Sequence, residues 1–221
     1  MTRGILIAGN ESALSRAVEA EAFARVEQFA SAHIPNRLTG APKNIEPENK
    51  NRISLSWNPA SPISARTLVL AAENKLEKID EAILICSPPS IRSSAEEIPL
   101  ADVEIIINDH IKGWFFLVRE LAAVFSARKK GTLVLVYPDI STSGRDDAAD
   151  VLGPSALASF RALSRGLLSA AHNESYITAG FSTSDAGNEA AFAAFIFKSI
   201  DELTQKSKGK LYKFGKFSLF R

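Results

Sequence analysis

Few side chains in this sequence are placed to exchange a proton with a substrate. Tyr137 directly follows the apolar run Leu133–Val136 and offers a phenol as a candidate general acid. His110 offers an imidazole, and the polar residues Asp139, Ser141 and Ser143 follow the same run. These residues do not show the readable spacing of a nucleophile, base and orienting acid. A lone tyrosine at a strand end is more often a packing residue, so new catalytic chemistry is the weaker interpretation.

A second chemical possibility lies in the turn Ala8–Ser15, which joins an apolar run to a helical pattern. A glycine in such a turn lets the backbone approach a pyrophosphate, which the N-terminus of the next helix then faces. Gly9 supplies one glycine, and backbone N–H groups together with the Ser12 hydroxyl could bind a phosphate loosely, whereas Glu11 would repel it. The alternative is an ordinary turn in which Asn10 or Ser12 caps the helix.

The elements that must position these residues alternate between apolar runs and helical patterns, which predicts βαβ units and a parallel sheet. The expected strands are Ile5–Ala8, Phe29–Ile34, Ile53–Trp57, Ala82–Ile85, Leu133–Val136, Tyr176–Ala179 and Gly209–Gly215. Apolar stripes predict helices over Leu14–Phe29, Leu68–Ile79 with Ser64 as a plausible N-cap, Ile111–Phe125, Leu157–Leu167 and Ala190–Leu203. Polar loops are expected over Asn36–Asn51 and Asp139–Asp150, the second where open α/β sheets place a ligand crevice.

Length and composition point to one α/β domain over residues 1–221, with a hydrophobic share of 46% that is ample for a large core. The net charge near +1 favours neither nucleic acid nor a membrane surface. The single Cys86 excludes a disulfide framework, and we expect no metal site. The N-terminal apolar run is too short for a signal peptide or a membrane span, so a soluble cytoplasmic protein is expected.

These blocks resemble the short-chain dehydrogenase/reductase family over roughly residues 4–215. Gly9 matches the first glycine of its Gly-x-x-x-Gly-x-Gly turn, with Ala13 and Ser15 at the other two positions. Asn58 stands where the family has an adenine-binding aspartate, and the sequence Cys86-Ser87-Pro88 replaces its Asn-Asn-Ala-Gly turn. The resemblance implies a doubly wound parallel sheet of Rossmann type with three α/β/α layers. It also implies NAD or NADP as cofactor, with binding expected to be weak or lost, in contact with residues Gly9, Asn10, Ser12, Ala13, Leu14, Asn58 and Ser87.

The catalytic residues of that family are largely missing from the matching segments. Its helix carries Tyr-x-x-x-Lys, and Ala156 and Phe160 occupy the best-matching positions here. No lysine occurs between Lys130 and Lys198, so shifting the match restores nothing, and Pro138 stands nearest to the family's serine. Asn108 matches the helix asparagine of the pattern Val-Asn-Leu-x-Gly, where it shapes an irregularity in the helix and helps to relay protons.

Three functional hypotheses follow from this pattern. The favoured one is a pseudoenzyme that acts by binding or assembly. The others are an NAD(P)-dependent oxidoreductase that uses an unusual acid such as Tyr137, and a dinucleotide sensor without redox chemistry. The resemblance implies a homodimer or homotetramer through the helices near residues 103–127 and 153–171, for which Trp114, Phe115 and Phe116 are suitable. The basic C-terminal segment Lys206–Arg221 could touch lipid or RNA, but we favour an edge strand with a terminal anchor.

Overall fold

The described strands form one parallel sheet of seven, in the order β3-β2-β1-β4-β5-β6-β7. The computed structural model describes residues 3–25, 27–35, 37–38, 51–139, 150–185 and 187–215. The strands are β1 (Gly4–Asn10), β2 (Gln28–Ile34), β3 (Arg52–Leu55), β4 (Glu81–Ile85), β5 (Thr132–Pro138), β6 (Ile177–Thr183) and β7 (Leu211–Phe214). The order reverses direction at β1, which makes β1 and β4 the switch point where such sheets open a crevice.

Helices cover both faces of the sheet, so the predicted doubly wound, three-layer α/β/α fold is confirmed. They are α1 (Ala13–Ala24), α2 (Pro62–Leu76), α3 (Leu100–Ile105), α4 (Gly113–Arg128), α5 (Leu152–Ala170) and α6 (Glu189–Asp201). Helices α1 and α6 pack on one face, where their apolar side chains meet one buried cluster. Helices α2, α4 and α5 supply the apolar side chains of the cluster on the other face. The central strand β4 is buried along its whole length, as expected for a parallel strand between two helical layers.

A π-helix, Ile106–Lys112, joins α3 to α4 without a break. Such a segment inserts an extra residue into the helical ladder and turns the side chains of the following residues. Asp109 and His110 lie in it and are buried, and they face the carboxyl ends of β1 and β2. The helix irregularity expected around Asn108 is therefore present, and it sets which side chains reach the crevice.

Several predicted boundaries were wrong, each for a local reason. Phe29 belongs to β2 and not to the first helix, which ends at Ala24. The N-cap of α2 is Ser61, whose hydroxyl accepts from the Ser64 backbone N–H, so the helix begins earlier than predicted. Trp57 lies beyond β3 and is buried under α4.

The strand β6 extends to Thr183, four residues beyond the predicted end at Ala179. No helix in the part of the chain described by the structure has the length and apolar content needed for a bilayer span. Predictions that concern Val26, most of the loop over residues 36–51, Ser141, Ser143 and residues 216–221 lie outside the described residues.

Candidate functional site

The crevice at the switch point contains two small cavities that share Ser87 at the end of β4. One, of about 80 Å³, lies between the ends of β1, β2 and β4 and is lined by Asn10, Arg37 and His110 among others. The other, of about 160 Å³, lies toward β5 and β6 and is lined by residues that include Ser12, Ala13, Leu14, Asp185 and Glu189. The structure thus brings most of the predicted cofactor-contacting residues to one edge of the sheet.

Gly9 is required by the packing of β1 against β4. A Cβ atom at this position would lie 2.7 Å from the Ile85 carbonyl oxygen and 3.3 Å from the Ser15 hydroxyl. The first distance is well inside a van der Waals contact, so any side chain here would force the strands apart. Gly9 therefore has a structural role that does not depend on a bound ligand.

The N-terminus of α1 is capped by the chain's own side chains. The Ser12 hydroxyl accepts a hydrogen bond of 3.1 Å from the Ser15 backbone N–H, and the Ser15 hydroxyl donates to the Asn10 carbonyl oxygen at 2.5 Å. Ser15 is buried where the family resemblance places a glycine. Glu11 is exposed beside this turn and lies 3.9 Å from Arg16. The ordinary capping turn, which was the alternative interpretation, is thus the arrangement that Ser12 and Ser15 make with the Asn10 backbone.

His110 is the buried imidazole of the crevice. Its Nδ1 lies 3.3 Å from the Asn10 side-chain nitrogen, which can donate to it when Nδ1 is unprotonated. Burial lowers the pKa of His110 to about 4, so the ring is neutral near pH 7. The imidazole then keeps its proton on Nε2, where it can act as a hydrogen-bond donor.

Arg37 closes the side of the crevice next to β2. Its guanidinium donates to the Asn58 side-chain oxygen at 2.8 Å and lies 3.5 Å from the Asp109 carboxylate. Burial raises the pKa of Asp109, and the Arg37 charge counteracts that shift. The Asn58 oxygen also accepts from the Ala60 backbone N–H at 3.3 Å. The acceptor that was predicted to bind an adenine is therefore already engaged by Arg37.

Asn108 lies on the outer side of the π-helix, where its side-chain oxygen accepts a hydrogen bond of 2.9 Å from Lys112. It lines neither of the two cavities just described. The sequence analysis named His110, but a histidine at such a position is more often a surface or core residue than a catalyst. A signal was available, because the family pattern Val-Asn-Leu-x-Gly places the asparagine three residues before the glycine. His110 stands three residues before Gly113.

Tyr137 is almost fully buried at the end of β5. Its ring packs edge-on against Phe160, with centroids 6.1 Å apart, and the Arg161 guanidinium lies over its face. Burial raises the pKa of the Tyr137 phenol, and the charge of Asp139 raises it further, against the opposing effect of Arg161 and Arg165. Such a phenol is a poorer acid near neutral pH than a free tyrosine, which weakens the case for a substitute catalyst.

Helix α5 presents an apolar surface to β5 at the level of the crevice. Ala156 and Phe160, one turn apart, are fully buried. Phe160 packs against Trp114, whose ring in turn lies 5.6 Å from that of Trp57. A phenol and an ammonium group in this helix would need polar surroundings, and the aromatic neighbours of Phe160 do not supply them. Within the described residues, moreover, histidine, cysteine and carboxylate side chains form no group of three that could hold a metal ion.

No family model matches the chain, and no curated protein matches it. Solved structures do match at full length. A short chain dehydrogenase from Bacillus anthracis superposes with a TM-score of 0.74 and 12% identity, over 96% of this chain and 94% of that one. The chain has the fold of short-chain dehydrogenases. An NADH-dependent reductase complexed with NAD matches with a TM-score of 0.72 and 12% identity, over 96% and 95% of the two chains. A putative 3-oxoacyl-reductase from Bacillus thuringiensis matches with 0.70 and 14%, over 96% of each.

Proposed function

We propose that this chain uses the short-chain dehydrogenase fold for binding or assembly and does not transfer hydride by the family's mechanism. The observation that carries the proposal is the packing of Ala156 and Phe160. These residues occupy the best-matching positions of the family's tyrosine and lysine, and both are fully buried, with Phe160 packed against Trp114. Carbonyl reduction by that mechanism needs a phenol whose pKa is lowered by a nearby lysine. Neither group is available in α5.

The alternative of an oxidoreductase with an unusual acid depends on Tyr137 or His110. Tyr137 is buried against Phe160, and its pKa is raised rather than lowered. His110 lines the smaller cavity. Burial holds its imidazole neutral, so the ring is suited to donating one hydrogen bond and poorly suited to taking up and releasing a proton near pH 7. If this alternative were correct, the wild-type chain would show turnover and Tyr137→Phe would abolish it. We expect no turnover in the wild-type chain.

A dinucleotide sensor is supported by one observation and opposed by three. A structural neighbour is complexed with NAD, and this chain has a crevice at its switch point, where open α/β sheets bind ligands. Against this, each cavity is smaller than the roughly 300–1,000 Å³ typical of a small-molecule site. Arg37 also occupies the Asn58 acceptor, and the larger cavity is lined by the acidic Asp185 and Glu189. We propose that NAD and NADP bind weakly or not at all.

Assembly is proposed to use the outer faces of α4 and α5. Phe115 is half-exposed on α4, and Ile107 is exposed on the π-helix that precedes it. Trp114, which was expected to join this surface, is instead buried in the core, so the exposed aromatic contribution comes from Phe115. We propose that these two exposed apolar side chains belong to a surface that another protein covers. The proposed partner is a second copy of the chain.

Two measurements test the proposal. The first is a fluorescence titration with NADH and NADPH, followed by an assay of NADPH consumption on a panel of ketones and aldehydes. We expect no saturable turnover, and a saturable, substrate-dependent rate in the wild-type chain would contradict the proposal. Tight cofactor binding without turnover would favour the sensor instead.

The second measurement is the molar mass in solution by light scattering. We expect a dimer or tetramer, and we expect Phe115→Asp to convert it to a monomer that remains folded. Phe23 on α1 is equally exposed, so Phe23→Asp serves as the matched control and should leave the mass unchanged. A monomeric wild-type chain would contradict the proposed assembly.

A further inference from the structure

One arginine side chain separates the smaller cavity of the crevice from the asparagine that the family resemblance places at an adenine. Arg37 lines that cavity together with Asn10 and His110, whereas Asn58 does not line it. The guanidinium of Arg37 reaches away from the cavity and donates to the Asn58 side-chain oxygen at 2.8 Å. Arg37 therefore stands between the cavity and the acceptor that an adenine would use.

The same guanidinium connects three elements of the fold. Arg37 lies just beyond β2, which ends at Ile34. Its Nε lies 3.5 Å from the carboxylate of Asp109, which belongs to the π-helix, and Asn58 belongs to the segment between β3 and α2. We call the two contacts of Arg37, with Asp109 and with Asn58, the Arg37 bridge. The bridge closes the crevice from the end of β2 to the π-helix and to the chain after β3.

Asp109 explains why Arg37 is held in this position. The Asp109 side chain is fully buried, and neither of its oxygens has a hydrogen-bond partner among the described residues. Burial raises the pKa of its carboxyl group, and the charge of Arg37 opposes that shift. A buried carboxylate needs a compensating cation. Arg37 is 41% exposed, so water solvates part of its own charge. The bridge therefore satisfies a requirement of Asp109 more than one of Arg37.

The Asn58 oxygen has no capacity for a further donor while the Arg37 bridge is in place. It accepts from Arg37 and from the Ala60 backbone N–H at 3.3 Å, and an amide oxygen has two lone pairs. An adenine amino group would have to displace Arg37, which would leave Asp109 without its cation. The cavity behind the bridge, of about 80 Å³, is also far smaller than the roughly 300–1,000 Å³ of small-molecule sites.

We infer that the Arg37 bridge is an internal plug that keeps an adenine nucleoside out of the crevice, and that removing the plug uncovers a site for one. This inference rests on the proposed function, in which NAD and NADP bind weakly or not at all. It names the nucleoside and not the dinucleotide, because the acidic Asp185 and Glu189 still line the second cavity when the plug is removed. Without the guanidinium, the first cavity widens and the Asn58 oxygen is free to accept from the adenine amino group.

The test is an isothermal titration with adenosine, a neutral probe, and with inosine, which carries an oxygen in place of the adenine amino group. The double variant Arg37→Ala/Asp109→Asn removes the guanidinium together with the buried charge that requires it. We expect no binding to the wild-type chain at millimolar adenosine. The double variant should bind adenosine at least tenfold more tightly than the wild type, and it should bind inosine more weakly than adenosine.

A matched control breaks an arginine–carboxylate pair outside the crevice. Arg128 on α4 lies 3.4 Å from Glu73 on α2, both side chains are partly buried, and neither lines a crevice cavity. Arg128→Ala/Glu73→Gln should bind adenosine no better than the wild type. Thermal melting checks that each variant is folded. If the first double variant is not folded, Asp109→Asn alone replaces it, and it should also raise the affinity because it weakens the bridge.

Three outcomes would overturn the inference. A folded Arg37→Ala/Asp109→Asn variant that binds adenosine no better than the wild type would show that the bridge is not what excludes the nucleoside. An equal gain in the control variant would indicate a general loosening of the fold. Equal affinities for adenosine and inosine would show that the bridge does not cover the acceptor for the amino group.

A titration of the wild-type chain with NADH separates this inference from the proposed function. Tight binding of NADH to the wild type would contradict the proposed function. If the wild type does not bind NADH and the folded double variant does not bind adenosine, only the plug is contradicted.

Discussion

Phe160 on α5 packs edge-to-face against Trp114 on α4, with ring centroids 5.1 Å apart and an interplanar angle of 68°. Trp114 also contacts Trp57 after β3, and Phe160 also contacts Tyr137 at the end of β5. Edge-to-face pairs contribute about 0.5–1.5 kcal/mol each beyond the area that they bury. The four rings therefore connect α4 and α5 with the chain after β3 and with the end of β5. The catalytic mechanism that the family resemblance implies would need polar groups in this part of α5.

The first prediction concerns the stability of this aromatic cluster. Phe160→Ala should lower the free energy of unfolding by about 3–5 kcal/mol, because it leaves a cavity between Trp114 and Tyr137. Urea denaturation followed by fluorescence measures the change. Phe23→Ala, at a half-exposed position on α1, is the control and should cost less than about 1 kcal/mol. Equal losses for the two variants would show that the cluster is not the stabilising unit described here.

The fold could be predicted from the sequence because its signals are repeated along the chain. Each parallel strand is a short apolar run, and each covering helix shows an apolar stripe, so errors such as the misplacement of Phe29 and Ser64 changed boundaries and not topology. The absence of tyrosine and lysine from α5 was equally visible. The aromatic cluster around Phe160 could not be predicted, because it depends on contacts between segments that are far apart in the chain.

The polar side of the crevice could not be predicted for the same reason. The contact between Asn10 and His110 joins residues separated by 100 positions, and the bridge from Arg37 to Asp109 crosses from a loop to the π-helix. The phase of the side chains there depends on the extra residue in the π-helix, which hydrophobic periodicity does not report. The sequence analysis chose Asn108 as a site residue because it is an asparagine. In the structure the π-helix turns His110, and not Asn108, toward the crevice.

The second prediction separates a packing role for Gly9 from a ligand-binding role. Gly9→Ala should destabilise the chain by about 1–3 kcal/mol even without any ligand, because the new methyl group would collide with the Ile85 carbonyl. Gly166→Ala is the matched control. Gly166 lies on the exposed side of α5 with nothing within 4 Å of a Cβ atom, so alanine there should stabilise the helix by about 0.5–1 kcal/mol. We therefore expect the change from glycine to alanine to destabilise the chain at position 9 and to stabilise it at position 166. A Gly9→Ala variant as stable as the wild type would contradict the packing role of Gly9.

The third prediction concerns the pH dependence due to His110. Its pKa is about 4 in the folded chain and 6.5 when unperturbed. Between these values the unfolded chain binds the extra proton, so the contribution of His110 to stability is present above pH 6.5 and is lost as the pH falls toward 4. The loss should be on the order of 3 kcal/mol, because each pKa unit corresponds to about 1.4 kcal/mol. His110→Gln should remove it, while His172→Gln, at an exposed position, should not.

The fourth prediction is that the titration of Glu81 changes the free energy of unfolding over nearly the same pH range as that of His110, but in the opposite direction. Burial raises its pKa from 4.5 to about 7, against the attraction of Arg3, and the charges of Glu27, Asp201 and Asp80 raise it further. Between pH 4.5 and 7 the folded chain binds the extra proton, so this contribution is present below pH 4.5 and is lost as the pH rises through 7.

The two contributions partly cancel in the wild-type chain, whose stability should therefore change little between pH 5 and 7 through these two groups. The single variants should reveal the opposing slopes. In Glu81→Gln only the His110 contribution remains, so stability should increase with pH across this range. In His110→Gln only the Glu81 contribution remains, so stability should decrease. Urea unfolding at several pH values measures both slopes, and two variants with slopes of the same sign would contradict the assignment of these buried groups.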